Sequence, residues 1–157
     1  MNIQGMLNEV LVRLFRNINA IEENIVKQSG YQNMTINDMH VIEAIGTEES
    51  KNMTAVAHAL MVTTGTLTIS VNSLVKKGFV ERTRSEKDRR VVLVSLTEKG
   101  RKAYAEHQKF HEDMVKAVME ELNGEEQEVL GRALVRLNRF FREEQARGLA
   151  SRKKTDG

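Results

Sequence analysis

Apolar side chains recur along the first thirty residues at intervals of three and four. This spacing places them on one face of a helix over residues 5–27, and Gly30 then ends the pattern. Such a face packs either within one domain or against a second chain, and a small protein has little core to spare for so long a helix. The apolar positions are Leu7, Leu11, Leu14, Ile18, Ile21 and Ile25.

The next segment has the pattern of three short helices separated by turn residues. The first begins at Thr35 or Asn37, both good capping residues. The second spans residues 53–60, and the third spans residues 64–77 and stops at Gly78.

After Gly78 the period of the apolar residues changes from helical to alternating. Residues 79–84 and 91–96 have the composition of short strands, and a polar loop of six residues joins them. A long helix then runs from Thr97 to about residue 122, and a last helix covers residues 125–144. Three short helices followed by a basic hairpin form a winged helix-turn-helix. The predicted fold is therefore mainly α with a small β-hairpin wing, flanked by long N- and C-terminal helices.

This order of elements divides the chain into functional segments. We expect an N-terminal dimerisation helix over residues 1–30, a DNA-binding domain over 31–96, C-terminal dimerisation helices over 97–146 and a flexible tail over 147–157. The dimerisation residues predicted from the apolar faces of the terminal helices are Leu7, Leu11, Leu14, Ile18, Leu130, Leu134, Leu137 and Phe141.

Composition narrows the function classes. The chain has no cysteine, which excludes disulfides and thiolate catalysis, and no proline, which favours long helices. We found neither a secretory signal nor a membrane span, and we expect a cytoplasmic protein with no membrane partner. The net charge is only +2, but residues 76–90 contain seven positive and three negative side chains, while residues 106–128 contain two positive and eight negative ones. The basic segment predicts a local contact with a polyanion.

The third short helix has the features of a DNA-recognition helix. In a helix-turn-helix, the exposed face of the second helix meets base edges in the major groove. Short hydroxyl, amide and methyl groups on this face suit phosphates, base edges and thymine methyls, and without Arg or Lys they favour an A·T-rich site. A plain solvated helix is the alternative, although threonine is a poor choice for one. The buried stripe is Leu67, Val71, Leu74 and Val75, and the exposed face is Thr64, Gly65, Thr66, Thr68, Ile69, Asn72 and Ser73.

The hairpin loop forms the second part of the predicted interface. Lys87, Arg89 and Arg90 at its tip suit the minor groove, where the negative potential is strongest over A·T tracts. Asp88 can fix one guanidinium while the other reaches outward. The alternative is an ordinary charged turn, which is common on protein surfaces.

Residues 53–100 resemble the MarR family of bacterial winged-helix regulators, most visibly in "LVKKGFVERTRSEKDRRVVLVSLTEKG" at residues 74–100. The flanking helices also fit the plan of that family, so the resemblance covers nearly the whole chain. The resemblance implies a homodimer built from interleaved terminal helices, with two winged domains reading a pseudo-palindromic double-stranded DNA operator. It places Thr64, Thr66, Thr68 and Ile69 on the groove-reading helix and Arg89 or Arg90 at the wing tip. Many relatives have Arg or Lys where Ile69 stands, so the pattern departs from the family at that position.

Four further segments, "IEENI", "DMHVIEAIG", "MVTTGTLTISVNSLVKKG" and "HQKFHEDMV", are similar to the FabT-like branch that represses fatty-acid synthesis. This resemblance implies no required cofactor, and a long-chain acyl group on acyl carrier protein as the signal that strengthens DNA binding. The eight methionines suit a flexible apolar tunnel for such a ligand, or simply a core. A small apolar ligand is a further possibility for a MarR-type sensor.

The histidines form a separate candidate site. His107 and His111 are four residues apart on the long helix, which places both imidazoles on one face. From the resemblance to the MarR fold we expect Glu22 and His40 to approach them, and zinc-sensing members of that family use a similar cluster. The same four residues also fit a structural polar network that joins the dimer helices to the DNA-binding domain.

Three function classes are therefore compared. A dimeric sequence-specific repressor accounts for the helices, the wing and the charge pattern. A hydrolytic enzyme has only the His and Glu residues in its favour, because the chain lacks a nucleophile elbow and a phosphate loop. A nonspecific architectural DNA binder calls for a higher overall charge. We expect the repressor.

Overall fold

The computed structural model describes the backbone of residues 2–155 and the side chains of residues 2–148. The helices within this range, in chain order, are α1 (Ile3–Gln28), α2 (Ile36–Ile45), α3 (Met53–Leu60), α4 (Thr64–Lys77), α5 (Glu98–Glu120) and α6 (Gly124–Thr155). The strands are β1 (Lys51–Asn52), β2 (Val80–Arg84) and β3 (Val92–Leu96).

Short polar side chains set the starts of the central helices. Of the two caps considered for α2, Thr35 is the one used: its Oγ1 accepts from Asp38 N at 3.1 Å, and Asp38 Oδ2 accepts from Thr35 N at 3.0 Å. Thr63 caps α4 by accepting from Thr66 N at 3.2 Å. At its other end α4 stops at Gly78, whose φ of +83° is a conformation that favours glycine.

The core lies between α2, α3, α4 and the small sheet. The predicted buried stripe of α4 is confirmed for Leu67, Val71 and Leu74, whereas Val75 is half-buried. Outside α4 the largest fully buried side chains are Ile42, Ile45, Val56, Phe79 and Val94. A continuous apolar cluster of this kind fixes the angle at which α4 is presented to the surface.

The sheet is antiparallel with the strand order β1-β3-β2. The hairpin pairs Arg82 with Val94 and Arg84 with Val92, so β2 and β3 each begin one residue later than predicted. The two-residue strand β1 was missed, because two residues are too short to show a period.

Gly100 explains the close docking of α5 on the sheet. Thr97 caps α5 and accepts from Gly100 N at 3.1 Å, while its own hydroxyl donates to Gly78 O at 2.6 Å. A Cβ atom at position 100 would lie 2.1 Å from the carbonyl oxygen of Phe79. Only glycine therefore fits where the helix begins, and this explains the glycine of the "LTEKG" segment.

The last helix is longer than predicted. We expected it to end near Glu144 and a flexible tail to occupy residues 147–157, but α6 continues to Thr155. The added segment contains Ala, Leu, Arg and Lys, which favour helices, and its single Gly148 costs only about 1 kcal/mol. The last two positions of the expected tail lie outside the described residues.

Both terminal helices have apolar faces that the single chain leaves uncovered. Of the eight predicted dimerisation residues, Leu11 and Ile18 are half-buried. The other six are between 37% and 51% exposed: Leu7, Leu14, Leu130, Leu134, Leu137 and Phe141. Exposed apolar surface of this extent marks an interaction site.

Within the described range, no single helix is long and apolar enough to cross a membrane. The helices α3 and α4 reach that length and composition only as a pair, across a bend of 105°.

Candidate nucleic-acid interface

The bend of 105° between α3 and α4 falls within the range of a helix-turn-helix. Met61 ends α3 in the left-handed conformation, and Thr63 then caps α4. The turn therefore lets α4 pack its apolar stripe on the core with its polar side outward. The predicted groove-facing residues Thr64, Gly65, Thr66, Thr68, Ile69 and Asn72 are all exposed, whereas Ser73 is half-buried.

The hydroxyl groups of this face are partly engaged within the helix. Thr68 Oγ1 donates to Thr64 O at 2.8 Å, and Thr63 Oγ1 donates to Thr66 Oγ1 at 3.0 Å. Thr68 therefore presents acceptor lone pairs and a methyl group to solvent. Ile69 is 73% exposed and adds a larger apolar group. Methyl groups and acceptors suit the thymine methyl and the adenine amino group of an A·T pair.

Asn72 lies against a residue that sequence reasoning did not select. Arg82 of β2 donates from Nη1 to Asn72 Oδ1 at 2.7 Å. The basic count of residues 76–90 included Arg82, but nothing in the sequence placed it beside α4.

The wing loop separates the roles of its two adjacent arginines. Asp88 accepts from Arg90 Nε at 3.1 Å and from Arg90 Nη2 at 3.2 Å, and these bonds hold the pKa of Asp88 below its usual value. Arg90 is thus the fixed guanidinium. Arg89 is exposed, and its side chain has no hydrogen-bond or ion-pair partner among the residues that the structure describes. Lys87 is also exposed at this tip.

Arg84, the last residue of β2, also supports the wing loop. Arg84 Nη1 donates to the backbone carbonyl of Arg89 at 2.8 Å. Because the carbonyl is neutral, this contact orders the loop without cancelling the charge of Arg84.

Most of the positive charge in this region has no counter-ion. Lys77 pairs with Asp38 at 2.7 Å, and Arg90 pairs with Asp88. The other five cations have no carboxylate within ion-pair distance in the described part of the chain: Lys76, Arg82, Arg84, Lys87 and Arg89. A surface with this much uncompensated positive charge attracts the phosphate backbone of a nucleic acid.

The predicted histidine cluster forms at the junction of α1, α2 and α5. The Nε2 atoms of His107 and His111 lie 3.0 Å apart. Glu22 Oε1 lies 3.3 Å from His111 Nε2 and 3.9 Å from His107 Nε2, and Glu22 Oε2 lies 3.8 Å from His40 Nε2. All four predicted residues are thus brought together, with Glu22 and His107 buried.

Glu43 of α2 is a fifth member that sequence reasoning missed. Its Oε1 lies 3.4 Å from His107 Nε2 and 3.3 Å from His111 Nε2, and it accepts from Gln108 Nε2 at 3.3 Å. Burial raises the pKa of Glu43 above its usual value. Burial, together with His111 and His40, lowers the pKa of His107 to about 4. At neutral pH His107 is therefore an uncharged imidazole.

Comparison with known proteins places this geometry in a family. A sequence profile described as transcriptional regulator SarA/Rot matches residues 23–107, which is more than half of the chain. The regulator SarZ of Staphylococcus aureus (strain USA300) is 36% identical over 83 residues, covering 51% of this chain and 56% of SarZ. The chain spans about half the length of the curated relatives it matches.

Solved structures extend the similarity over most of the chain. The crystal structure of Streptococcus pneumoniae FabT in complex with DNA superposes with a TM-score of 0.86 and 39% identity, covering 89% of this chain and 98% of FabT. The MarR family transcription regulator SP03579 shares the fold, with a TM-score of 0.77 and 17% identity. The matched profile and SarZ are both described as transcriptional regulators, which removes the enzyme alternative. The chain belongs to the MarR-type winged-helix transcription regulators.

Proposed function

We propose that the protein is a homodimeric repressor that binds a pseudo-palindromic duplex through α4 and the wing. The observation that carries this proposal is the group of five cations on α4 and the hairpin that have no ion-pair partner among the described residues, together with the exposed polar face of α4. The similarity to FabT, which was crystallised with DNA, supports it. A regulator of this kind acts at the chromosome, so we place the protein in the cytoplasm.

The homodimer is proposed from the uncovered apolar faces of α1 and α6. A single α4 helix reads only a few base pairs, whereas two of them reach successive major grooves if they lie about 34 Å apart. Pairing of the terminal helices buries the exposed apolar residues and holds the two α4 helices at a fixed separation.

The test of DNA binding is the salt dependence of affinity. Each neutralised phosphate contributes a slope of about 0.9 to the plot of log affinity against log salt. Arg89→Ala removes a cation whose side chain has no partner among the described residues, and it is expected to lower this slope by about one unit per protomer. Lys116→Ala removes an equal charge from α5, roughly 24 Å along that helix from Gly100, and is expected to leave the slope unchanged.

The assay is fluorescence anisotropy on a duplex selected from a random pool by the native protein. If no duplex is retained at low salt, DNA binding is wrong. If Arg89→Ala and Lys116→Ala behave alike, DNA binding stands and the wing assignment is wrong.

As the signal, we propose a long-chain acyl group delivered on acyl carrier protein, which tightens DNA binding. The similarity to FabT supports a link to fatty-acid synthesis. The experiment compares DNA affinity with acyl carrier protein carrying a long acyl chain, with the same carrier lacking the chain, and with free fatty acid. Tightening by the acylated carrier alone supports the proposal. An effect of free fatty acid alone indicates a small apolar ligand instead.

A divalent metal at the histidine cluster is a second candidate signal. The ligand atoms of Glu22, His107 and His111 all lie within 4.8 Å of one another. Ligands around tetrahedral zinc lie roughly 3.3 Å apart, given bonds of about 2.0–2.1 Å. The observed separations of 3.0, 3.3 and 3.9 Å are close to that arrangement, and His107 is uncharged as a ligand must be.

Calorimetric titration with zinc distinguishes a metal site from a polar network. A metal site gives saturable heat at micromolar zinc in the native protein and in His58→Ala, which alters an exposed histidine of α3 outside the cluster. The same heat is lost in His107→Ala. If the native protein gives no heat, the cluster is a structural polar network.

A further inference from the structure

The contact between Arg82 and Asn72 carries an inference about how the interface is built. Arg82 follows Val80 by two residues on β2, and alternate residues of a strand face the same side. Val80 is buried in the core of the winged domain, so its side of β2 is the side that faces α4 and the core. Arg82 therefore extends the same row beyond the core, to the exposed flank of α4.

The hydrogen bond fixes the orientation of both side chains. A guanidinium group has donors only, so Asn72 must turn its amide oxygen toward Arg82. An asparagine that reads adenine needs the same oxygen to accept from the adenine amino group while its nitrogen donates to N7. The 2.7 Å contact to Arg82 thus turns Asn72 away from the base-reading arrangement.

The bond leaves the positive charge of Arg82 intact. Its partner is a neutral amide, and no carboxylate lies within ion-pair distance of Arg82 among residues 2–148. The nearest acid in sequence, Glu81, is on the opposite side of β2, where its Oε1 accepts from Ser95 Oγ at 3.4 Å. Of the five N–H donors of the Arg82 guanidinium, one is used by Asn72 and the others remain for an anion.

We propose that Arg82 is a phosphate-contacting residue of the DNA interface, and that Asn72 positions its guanidinium instead of reading a base. This inference rests on the proposed DNA-binding function. An arginine held in place before binding loses less side-chain freedom when it meets a phosphate, and its planar fork matches two phosphate oxygens. The pair thereby fixes the position of the wing relative to the DNA backbone beside the groove that α4 enters.

The test is a double-mutant cycle of Arg82→Ala and Asn72→Ala. Anisotropy titrations use a 30-bp duplex selected by the native protein from a random pool, and the same duplex with its sequence scrambled. Arg82→Ala is expected to weaken both duplexes by the same factor, about tenfold or more, and to lower the salt slope by about 0.9 per protomer. Lys116→Ala serves as the control for lost charge.

Asn72→Ala is expected to weaken both duplexes equally while Arg82 is present, and to have no further effect in the Arg82→Ala background. If Asn72→Ala lowers the ratio of selected to scrambled affinity, and does so also in the Arg82→Ala background, Asn72 reads a base and the inference is overturned. An unchanged salt slope in Arg82→Ala also overturns it.

The titrations distinguish a loss of DNA binding from a loss of the role of Arg82. Native protein that binds neither duplex at low salt refutes DNA binding itself. Native protein that binds normally while Arg82→Ala matches it refutes only the role of Arg82. Thermal melting of each variant checks folding, and since both side chains are exposed we expect melting temperatures close to that of the native protein.

Discussion

At Gly100 the backbone of α5 lies close to the winged domain, so Gly100→Ala should weaken the junction between them. The added Cβ atom would lie 2.1 Å from the carbonyl oxygen of Phe79 and 3.2 Å from the Cβ atom of Leu96. Nonbonded heavy atoms rest at about 3.5 Å or more, so the backbone must separate by more than 1 Å.

This displacement acts on two hydrogen bonds. Thr97 N donates to Phe79 O at 3.0 Å, and the Thr97 hydroxyl donates to Gly78 O at 2.6 Å. Losing both costs about 1 kcal/mol each, and overpacking adds about 1–3 kcal/mol. Alanine regains about 1 kcal/mol of helix propensity. The free energy of unfolding should therefore fall by about 2–4 kcal/mol.

Urea unfolding followed by far-ultraviolet circular dichroism measures this change, at one fixed protein concentration because dimerisation affects stability. Gly148→Ala is the matched control: no described atom lies within 4 Å of its added Cβ, so it should raise stability by up to about 1 kcal/mol. If Gly100→Ala unfolds at the same urea concentration as the native protein, the packing at this junction is not as tight as we infer.

Three further predictions concern the cluster, the domain core and the dimer. Because burial and the neighbouring histidines lower the pKa of His107 to about 4, the unfolded chain binds a proton between pH 6.5 and 4 that the folded chain does not. The free energy of unfolding should therefore fall as the pH falls through this range, by at most about 1.4 kcal/mol per pH unit. Urea unfolding at several pH values measures this, and the pH dependence should be flatter in His107→Asn. Asp38→Ala removes both the α2 capping box and the 2.7 Å ion pair with Lys77, and it should lower the free energy of unfolding by about 3 kcal/mol. Asp113→Ala breaks an exposed ion pair and should change that free energy by less than about 1 kcal/mol. Equal effects of the two substitutions would contradict this. Leu134→Asp should shift the light-scattering mass from twice the chain mass of 17.9 kDa to a single chain, while Ile69→Asp on α4 should leave the dimer intact; a native protein of single-chain mass would refute the dimer.

The helices that the sequence predicted most accurately are those with recognisable capping or stop residues at their ends. The helix predicted over residues 64–77 is α4 as observed, and it ends at Gly78 as expected. The end of α6 was misplaced for the opposite reason. Its last turns have no proline, and charged helix formers have the same composition as a polar tail.

The residues of the candidate sites likewise divide into those that the sequence predicted and those that it missed. The four residues Glu22, His40, His107 and His111 were expected together, because two of them share a helix face and a family resemblance supplied the others. Glu43 and Arg82 were missed, since each acquires its partner only when separate elements pack: α2 against α5, and β2 against α4. No spacing within either element indicates such a partner.

The separation of charge along the chain has a consequence for how a duplex arrives. The wing region has a surplus of positive side chains, whereas the acidic residues 106–128 begin beyond the N-terminal turns of α5 and continue into α6. At about 1.5 Å per residue, the acidic stretch begins roughly 12 Å along α5, at Glu106, and continues away from the end of the helix that docks on the sheet. A duplex that approaches the wing region is therefore attracted, whereas one that approaches the acidic stretch is repelled. Added salt screens both interactions, so the rate of association with the duplex should fall as the salt concentration rises.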